Sequence, residues 1–192
     1  MKGKRAAVRA IGERAHDVWR RDPVQYDDPA TRGHHWAACL VLASDELLRS
    51  PLPDQEHRLR VIETALLTPG AGAVKFFTRM MLLFSWDRFR TLARYAEDSV
   101  PPRYGSAFRF ETLEKTPDSF VQGVMKCFYN DFFRSAGSPH LIGLFCAYDR
   151  LWIDEIDPVR DRVRFERPVT LAAGGSHCSF EFYRHQGRTE GC

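Results

Sequence analysis

The sequence lacks the patterns that mark several specialised classes of protein. It contains no C-x-x-C pair, so neither a zinc ribbon nor a thioredoxin-type redox site is expected. Its five cysteines are an odd number in a chain with no signal-peptide core, which favours reduced thiols over a disulfide framework. No apolar run reaches the roughly 18–20 residues of a membrane-spanning helix. These absences predict a cytoplasmic protein without a membrane partner.

The chain also lacks a strong charge of one sign. Its formal net charge is +3, and an amino-terminal group of basic residues supplies much of that excess. No basic stripe with interleaved aromatic residues is present, so nucleic-acid binding is not expected. Aromatic residues are abundant, with 14 Phe and 4 Trp. Because such side chains line pockets as well as cores, we expect a small-molecule substrate as partner, and the sequence leaves homo-oligomer formation open.

The first half of the chain has the periodicity of helices. A length of 192 residues fits one domain, over residues 1–192, with a complete hydrophobic core. Apolar spacing and helix breakers predict helices over residues 4–21, 28–49, 54–67 and 73–98. Thr68-Pro69-Gly70 is expected to end the third of these. One apolar face of the fourth is expected to be buried, and its residues are Phe76, Met80, Leu83 and Phe84.

The pattern changes after Pro101–Pro102. Alternating polar and apolar residues predict strands over residues 106–113, 163–165 and 178–182. Two more helices are predicted, over residues 118–137 and 138–153. The expected fold class is therefore α+β, with a helical N-terminal half and a C-terminal half in which two helices are inserted into a small antiparallel sheet.

Cys146 and Asp149 are the first candidates for chemistry. They lie three residues apart on a predicted helix, on a face that Ile142 and Ile153 extend with apolar side chains. Burying an aspartate in such an apolar row costs free energy unless the carboxylate is paired or lines a cavity. The alternative to a functional role is an aspartate at the edge of the core, bound to an arginine or a backbone amide. An ionised Asp149 would raise the pKa of Cys146. Asp149 is therefore better suited to acid–base catalysis, or to binding an amidine-like nitrogen.

Two other cysteines are better candidates for a nucleophile. Cys127 lies four residues before Asp131 on a predicted helix, and Cys178 opens the last strand directly after His177. A nucleophilic thiol needs a cation or a helix N-terminus to stabilise its thiolate. Cys127 or Cys178 would fill that role, with His177 or His140 as the base.

Two alternatives remain for these thiols. Each cysteine by itself is also compatible with a small buried side chain, which is the usual environment of free Cys. The cysteines and Asp149 are also compatible with a metal site that leaves positions for water, although the spacing fits no standard metal motif. The sequence implies no cofactor and leaves a divalent metal open.

Histidine and arginine supply the substrate-binding candidates. His34 and His35 point about 100° apart on a helix, so both cannot face one site. Arg164, Arg167 and Arg184 lie on or beside predicted strands, where one of them could hold a substrate carboxylate with two hydrogen bonds. The predicted substrate-binding set is His35, Asp131, His177 and Arg164.

The C-terminal third resembles a known family. The residues that carry the resemblance are Cys127-Phe-Tyr, Phe133, Gly137-Ser-Pro-His-Leu141, Phe145-Cys146, Asp149, Phe165-Glu-Arg-Pro-Val-Thr-Leu-Ala172, Gly175 and Cys178-Ser-Phe180. In order and spacing they are similar to the motifs of the L-2-amino-thiazoline-4-carboxylic acid hydrolase family. The helix over residues 35–48 fits that family more loosely. The activity that names the family opens a cyclic amidine by adding water at its C=N carbon, and the product is an N-carbamoyl cysteine.

The resemblance implies a candidate site and a reaction class. Cys127, Cys146, Asp149 and Cys178 fall on the motif positions and form the predicted catalytic set, without a role assigned to each. The implied activity is that of a hydrolase acting on a non-peptide C–N bond of a small molecule. Two alternatives remain: a cyclase or ring-rearranging enzyme of specialised biosynthesis on the same scaffold, and a binding module similar to the domains named after 4-vinyl reductase.

Overall fold

The computed structural model describes residues 2–22 and 26–185. The α-helices in these residues are α1 (Lys2–Arg21), α2 (Pro29–Leu48), α3 (Gln55–Leu83), α4 (Arg88–Arg94), α5 (Pro101–Tyr104), α6 (Phe128–Ser135), α7 (Ile142–Ile153) and α8 (Pro158–Asp161). The strands are β1 (Arg109–Lys115), β2 (Ser119–Lys126), β3 (Val163–Glu166) and β4 (Cys178–Arg184). A π-helical turn covers Tyr95–Ser99, and 3₁₀ turns cover Pro139–Leu141 and Leu171–Ala173.

The four strands form one antiparallel sheet in the order β1-β2-β4-β3. The predicted α+β class is confirmed, with a helical first half and with α6 and α7 inserted between β2 and β3. Gln122 pairs with Phe180, and Val124 pairs with Cys178. Because side chains alternate along a strand, these four side chains point to the same face of the sheet.

Two clusters of buried side chains make up the core. The first joins α1 and α2 to α6 and α7, and the second packs the sheet against the end of α3 and against α4. Phe110 and Cys127 contact both clusters. The boundary between the clusters is therefore the place where helical and sheet residues meet.

The start of α2 is fixed by its cap, Asp28, the residue at which this helix was predicted to begin. Its carboxylate accepts hydrogen bonds from the Thr31 amide at 2.7 Å and from the Ser106 hydroxyl at 2.6 Å. These bonds, that from Ser106 first, hold the pKa of Asp28 well below its usual range. Gly105 has φ of +77°, and a Cβ there would lie 2.1 Å from the Asp28 carboxylate. The contacts of Asp28 with Gly105 and Ser106 therefore fix the position of the neighbouring Tyr104 relative to α2.

The predicted break at Pro69–Gly70 is wrong. The helix α3 continues through both residues to Leu83, and Pro69 lies on its exposed side. Gly70 is close to Tyr148 of α7, since a Cβ at Gly70 would lie 3.7 Å from the Tyr148 hydroxyl oxygen. Packing of α3 against α7 thus outweighs the local preference for a break.

The predicted helix over residues 73–98 is also wrong. After Leu83 the chain turns, and Asp87 begins a new helix by accepting a hydrogen bond from the Arg90 amide at 3.0 Å. Phe76, Leu83 and Phe84, expected on a buried face, are 59%, 65% and 75% exposed. The helix beyond them ends in the π-helical turn, which carries Tyr95.

The helix predicted over residues 118–137 is a strand followed by a short helix. Residues Ser119–Lys126 form β2, which is buried without alternation from Phe120 to Val124, and α6 begins only at Phe128. The sheet accordingly has four strands instead of the three predicted.

No helix in residues 2–22 and 26–185 combines the length and the apolar composition that a membrane span requires.

Candidate active site

A cavity of about 840 Å³ lies where the two clusters meet. Its wall is formed by one face of α3, by α7, by the inward face of β2 and β4, and by residues of α2, α5 and α6. Cavities of about 300–1,000 Å³ are typical of sites for small organic molecules. All four residues of the predicted catalytic set line it: Cys127, Cys146, Asp149 and Cys178.

Asp149 is held at this wall by an arginine and a tyrosine. Its Oδ2 lies 3.2 Å from Nη1 of Arg167, and its Oδ1 accepts a hydrogen bond from the Tyr104 hydroxyl at 3.2 Å. Burial raises the pKa of Asp149 to about 6, while Arg167 and Tyr104 act in the opposite direction. The carboxylate can therefore gain or lose a proton near neutral pH.

Arg167 is the cation that pairs with Asp149. It follows β3 directly, its guanidinium carbon lies 4.5 Å from the centre of the Phe180 ring, and its side chain is 17% exposed. Its Nε, which is buried, has no hydrogen-bond partner among the described residues. Because one guanidinium carries several donors in a fixed plane, Arg167 can hold Asp149 and still act on a second group.

Cys146 and Cys178 lie beside this arginine. Burial raises the pKa of Cys146, and the Arg167 guanidinium partly offsets that rise. The Cys178 sulfur accepts a hydrogen bond from the Leu171 amide at 3.2 Å, in a segment that pairs with β4 through Val169 and Ser179. Of the two thiols, Cys178 is therefore the one whose sulfur accepts a backbone hydrogen bond.

Cys127 has a less favourable environment. It occupies the position before the first turn of α6, which was predicted to lie within a helix. Burial raises its pKa to about 12, although the backbone amides of Tyr129 and Asn130 act in the opposite direction. Among the described residues, no cation is one of the main influences that lower the pKa of Cys127. This thiol is therefore expected to stay protonated at neutral pH.

His34 lines the cavity and adds a second polar pair. Its Nε2 lies 3.0 Å from the carbonyl oxygen of Arg103, which can only accept, so this nitrogen carries the proton. Nδ1 therefore accepts a hydrogen bond from the Tyr129 hydroxyl at 2.6 Å. Burial lowers the pKa of His34 and raises that of Tyr129, which favours a neutral pair. Tyr104 stacks on His34 at 5.1 Å and so connects this pair to Asp149.

The structure does not bring the predicted substrate-binding residues to this cavity. His35 is 2% exposed, stacks on Trp19 at 4.3 Å and has its Nε2 2.9 Å from the Asp22 carboxylate. Asp131 is exposed on α6 next to Asn130.

The other two predicted residues also lie elsewhere. His177 pairs with Ser176 in the loop before β4, and Arg164 pairs with Glu166 on β3. His140, considered as a base, lies 3.3 Å from the buried Asp45 carboxylate and does not line the cavity. Of the adjacent pair His34–His35, it is His34 that lines the cavity, whereas the predicted His35 does not.

The described residues contain no group of three or more His, Cys, Asp or Glu side chains placed to hold one metal ion. The three thiols and Asp149 therefore line the cavity without forming a ligand cluster.

Residues 34–182 match the model of the L-2-amino-thiazoline-4-carboxylic acid hydrolase family. The chain belongs to this family. A search of curated proteins finds no match to the chain. The matched range contains the whole of the polar cluster just described, from His34 to Cys178.

Sequence reasoning did not single out several residues that this member of the family places at the cavity. Arg167 was one of three arginines considered, of which Arg164 was chosen, and no pattern indicated Tyr104. Tyr129 was noted only as part of the Cys127-Phe-Tyr motif. One signal was present: Arg167 lies directly before Pro168, inside the segment that resembles the family. The backbone before a proline is held extended, which gives such a residue a defined position.

Proposed function

We propose that the protein is a small-molecule hydrolase that adds water to the C=N carbon of a cyclic amidine inside this cavity, with Asp149 as general base. The observation that carries the proposal is the position of Asp149 at the cavity wall with a pKa of about 6. A base with a pKa near the working pH combines a useful ionised fraction with useful basicity. Membership of the family supports the reaction class.

Every proton transfer in this reaction can be assigned to water, the substrate and Asp149. Asp149 takes a proton from water as the water oxygen bonds to the amidine carbon, and it passes this proton to the ring nitrogen that receives the C=N electron pair. In the collapse of the tetrahedral adduct, Asp149 takes the hydroxyl proton as C=O forms and gives it to the other ring heteroatom, which is expelled. Arg167, whose Nε has no hydrogen-bond partner among the described residues, would stabilise negative charge on the adduct.

The thiols have supporting roles in this scheme. Cys146 and Cys178 lie against Arg167, so each thiol can influence the charge distribution of the guanidinium. Each can also donate or accept a hydrogen bond near the reacting carbon. Cys178 remains the thiol best placed to attack the carbon directly, because of the Leu171 amide at 3.2 Å. Alkylation of Cys178 by a substrate analogue would favour that covalent route.

A second candidate function is supported by the character of the wall. The cavity is lined largely by aromatic and aliphatic side chains, among them Tyr95, Trp152 and Phe110. A site with little water favours the reverse reaction, in which a ring closes with loss of water. A cyclase or ring-rearranging enzyme of biosynthesis would use the same Asp149 as acid instead of base.

One experiment separates the two functions. The purified protein is incubated in ¹⁸O-labelled water with 2-amino-thiazoline-4-carboxylate, and with N-carbamoyl cysteine in a parallel sample, while masses are followed. Hydrolysis predicts enzyme-dependent formation of labelled N-carbamoyl cysteine from the first compound. Ring closure of the second compound without hydrolysis of the first would favour the cyclase.

A further inference from the structure

Some of the polar groups of the cavity form one cluster around Asp149, and the α3 side of the wall is apolar. Asp149, Arg167, Tyr104 and the two thiols next to Arg167 form one cluster through the contacts given above. Along α3 the wall is formed by Leu66, Ala73, Val74, Phe77, Thr78 and Met81. The one hydroxyl in that row donates to the Val74 carbonyl at 2.9 Å and is thereby satisfied within the helix.

A single small ring uses little of this space. The cavity volume of about 840 Å³ falls in the upper part of the range found for drug-sized ligands. A ring bound at Asp149 would leave the α3 side of the wall without a partner. Apolar walls bind water poorly, so this region is suited to an apolar group of the ligand.

The cavity reaches the surface beside an apolar side chain. Phe77 lines the cavity and is 68% exposed, so it lies at the rim. Its neighbour Phe76 is 59% exposed and does not line the cavity. An apolar group can therefore enter along Phe77.

We propose that the substrate consists of a reactive ring joined to a sizeable apolar body, and that this body packs along the α3 wall and passes Phe77 on entry. The identity of the reactive ring rests on the proposed function. The inference of an apolar body depends only on the size and composition of the cavity wall. The specificity of this protein would then be for substrates larger and less polar than the aminothiazoline carboxylate that gives the family its name.

The test uses N-methyl and N-octyl amides of 2-amino-thiazoline-4-carboxylic acid. Both carry the same ring and the same charge, and they differ only in the length of the apolar chain. Each methylene buried against an apolar wall increases affinity by up to about fourfold, so the octyl amide should bind at least about tenfold more tightly than the methyl amide. Binding is measured by isothermal titration with the Asp149→Asn protein, and kcat/KM with the unmodified protein.

Two matched variants locate the apolar body. Phe77→Ser should reduce the preference for the octyl amide severalfold, whereas Phe76→Ser should leave the preference unchanged. Both side chains are exposed, so neither substitution removes core packing. Circular dichroism and thermal unfolding verify that both variants fold.

The outcomes separate this inference from the proposed function. Tight binding of the octyl amide without hydrolysis of either amide would support the apolar body and contradict the hydrolase. Hydrolysis of both amides with equal kcat/KM and equal affinity would support the hydrolase and overturn the apolar body. Absence of binding by either amide would also overturn the apolar body, as would an equal effect of Phe77→Ser and Phe76→Ser.

Discussion

Asp149 of α7 and Arg167, which follows β3, form an ion pair with 3.2 Å between Oδ2 and Nη1, at the boundary between the two core clusters. The pair joins a helix to the segment after a strand, so neither element alone contains the candidate site. Tyr104, stacked on His34, extends the same contact to α2 and α5. The relative position of helices and sheet therefore determines the geometry around Asp149.

The pKa of Asp149 predicts the pH dependence of activity. Burial raises that pKa to about 6, and a general base acts only when it is ionised. The kcat/KM should therefore rise by about tenfold per pH unit below pH 6 and level off above it. The measurement is a pH series between pH 5 and 8 in buffers of constant ionic strength. A profile that rises as the pH falls would show that Asp149 acts as an acid, as the cyclase requires.

Adjacent histidines should have separable effects. His34→Gln should lower kcat/KM with little change in thermal stability, because this ring lines the cavity and binds Tyr129. His35→Gln should lower the unfolding temperature, because this ring is buried between Trp19 and the Asp22 carboxylate. Kinetics and thermal unfolding of both variants give the comparison. The opposite assignment of the two effects would contradict the placement of His34 at the cavity.

The thiols should differ in reactivity. Burial raises the pKa of Cys39 and that of Cys127 to about 12, so both should resist alkylation at pH 8 in the folded protein. Timed treatment with iodoacetamide, followed by peptide mass mapping, measures each site. Guanidinium-unfolded protein is the control in which both must react. Rapid modification of Cys127 in the folded protein would show that its thiol is activated.

A buried ion cluster outside the cavity should dominate stability. Asp45 is fully buried and binds Arg58 at 2.7 Å, with Arg49 and His140 on its other oxygen. Arg58→Met would leave the carboxylate without its buried partner, so it should destabilise the protein by about 3–5 kcal/mol. Urea unfolding measures this change. The matched control is Arg60→Met, whose arginine is exposed and pairs with the exposed Glu56; its effect should be within about 1 kcal/mol.

The sequence was sufficient for the fold class and for part of the site. Asp28 and the helix it caps were predictable because the cap and the following proline act locally. The joint presence of Cys146 and Asp149 at the cavity was predictable because three residues separate them on one helix. The resemblance extended the predicted set to the other two cysteines.

The remaining features depend on contacts that are distant in sequence. Pro69 was taken as a helix end, because the packing of α3 on α7 that overrides it is not visible in the local sequence. The segment 119–126 was assigned to a helix, because β2 is buried on both faces and its sequence lacks the alternation that marks a strand. Only the orientation of α2 relative to Tyr129 shows which of His34 and His35 faces the cavity. Only the path of the chain after β3 places Arg167 beside Asp149.

The most direct test of the account is the hydrolysis rate of the Asp149→Asn protein, beside that of Asp154→Asn. Both changes remove a carboxylate at the end of α7, but Asp154 is exposed and pairs with Arg150. Hydrolysis of 2-amino-thiazoline-4-carboxylate and of its octyl amide is followed by mass. The account predicts that Asp149→Asn lowers kcat by about 10²–10⁴-fold and that Asp154→Asn leaves it unchanged. Equal rates for Asp149→Asn and the unmodified protein would contradict a general base at this position.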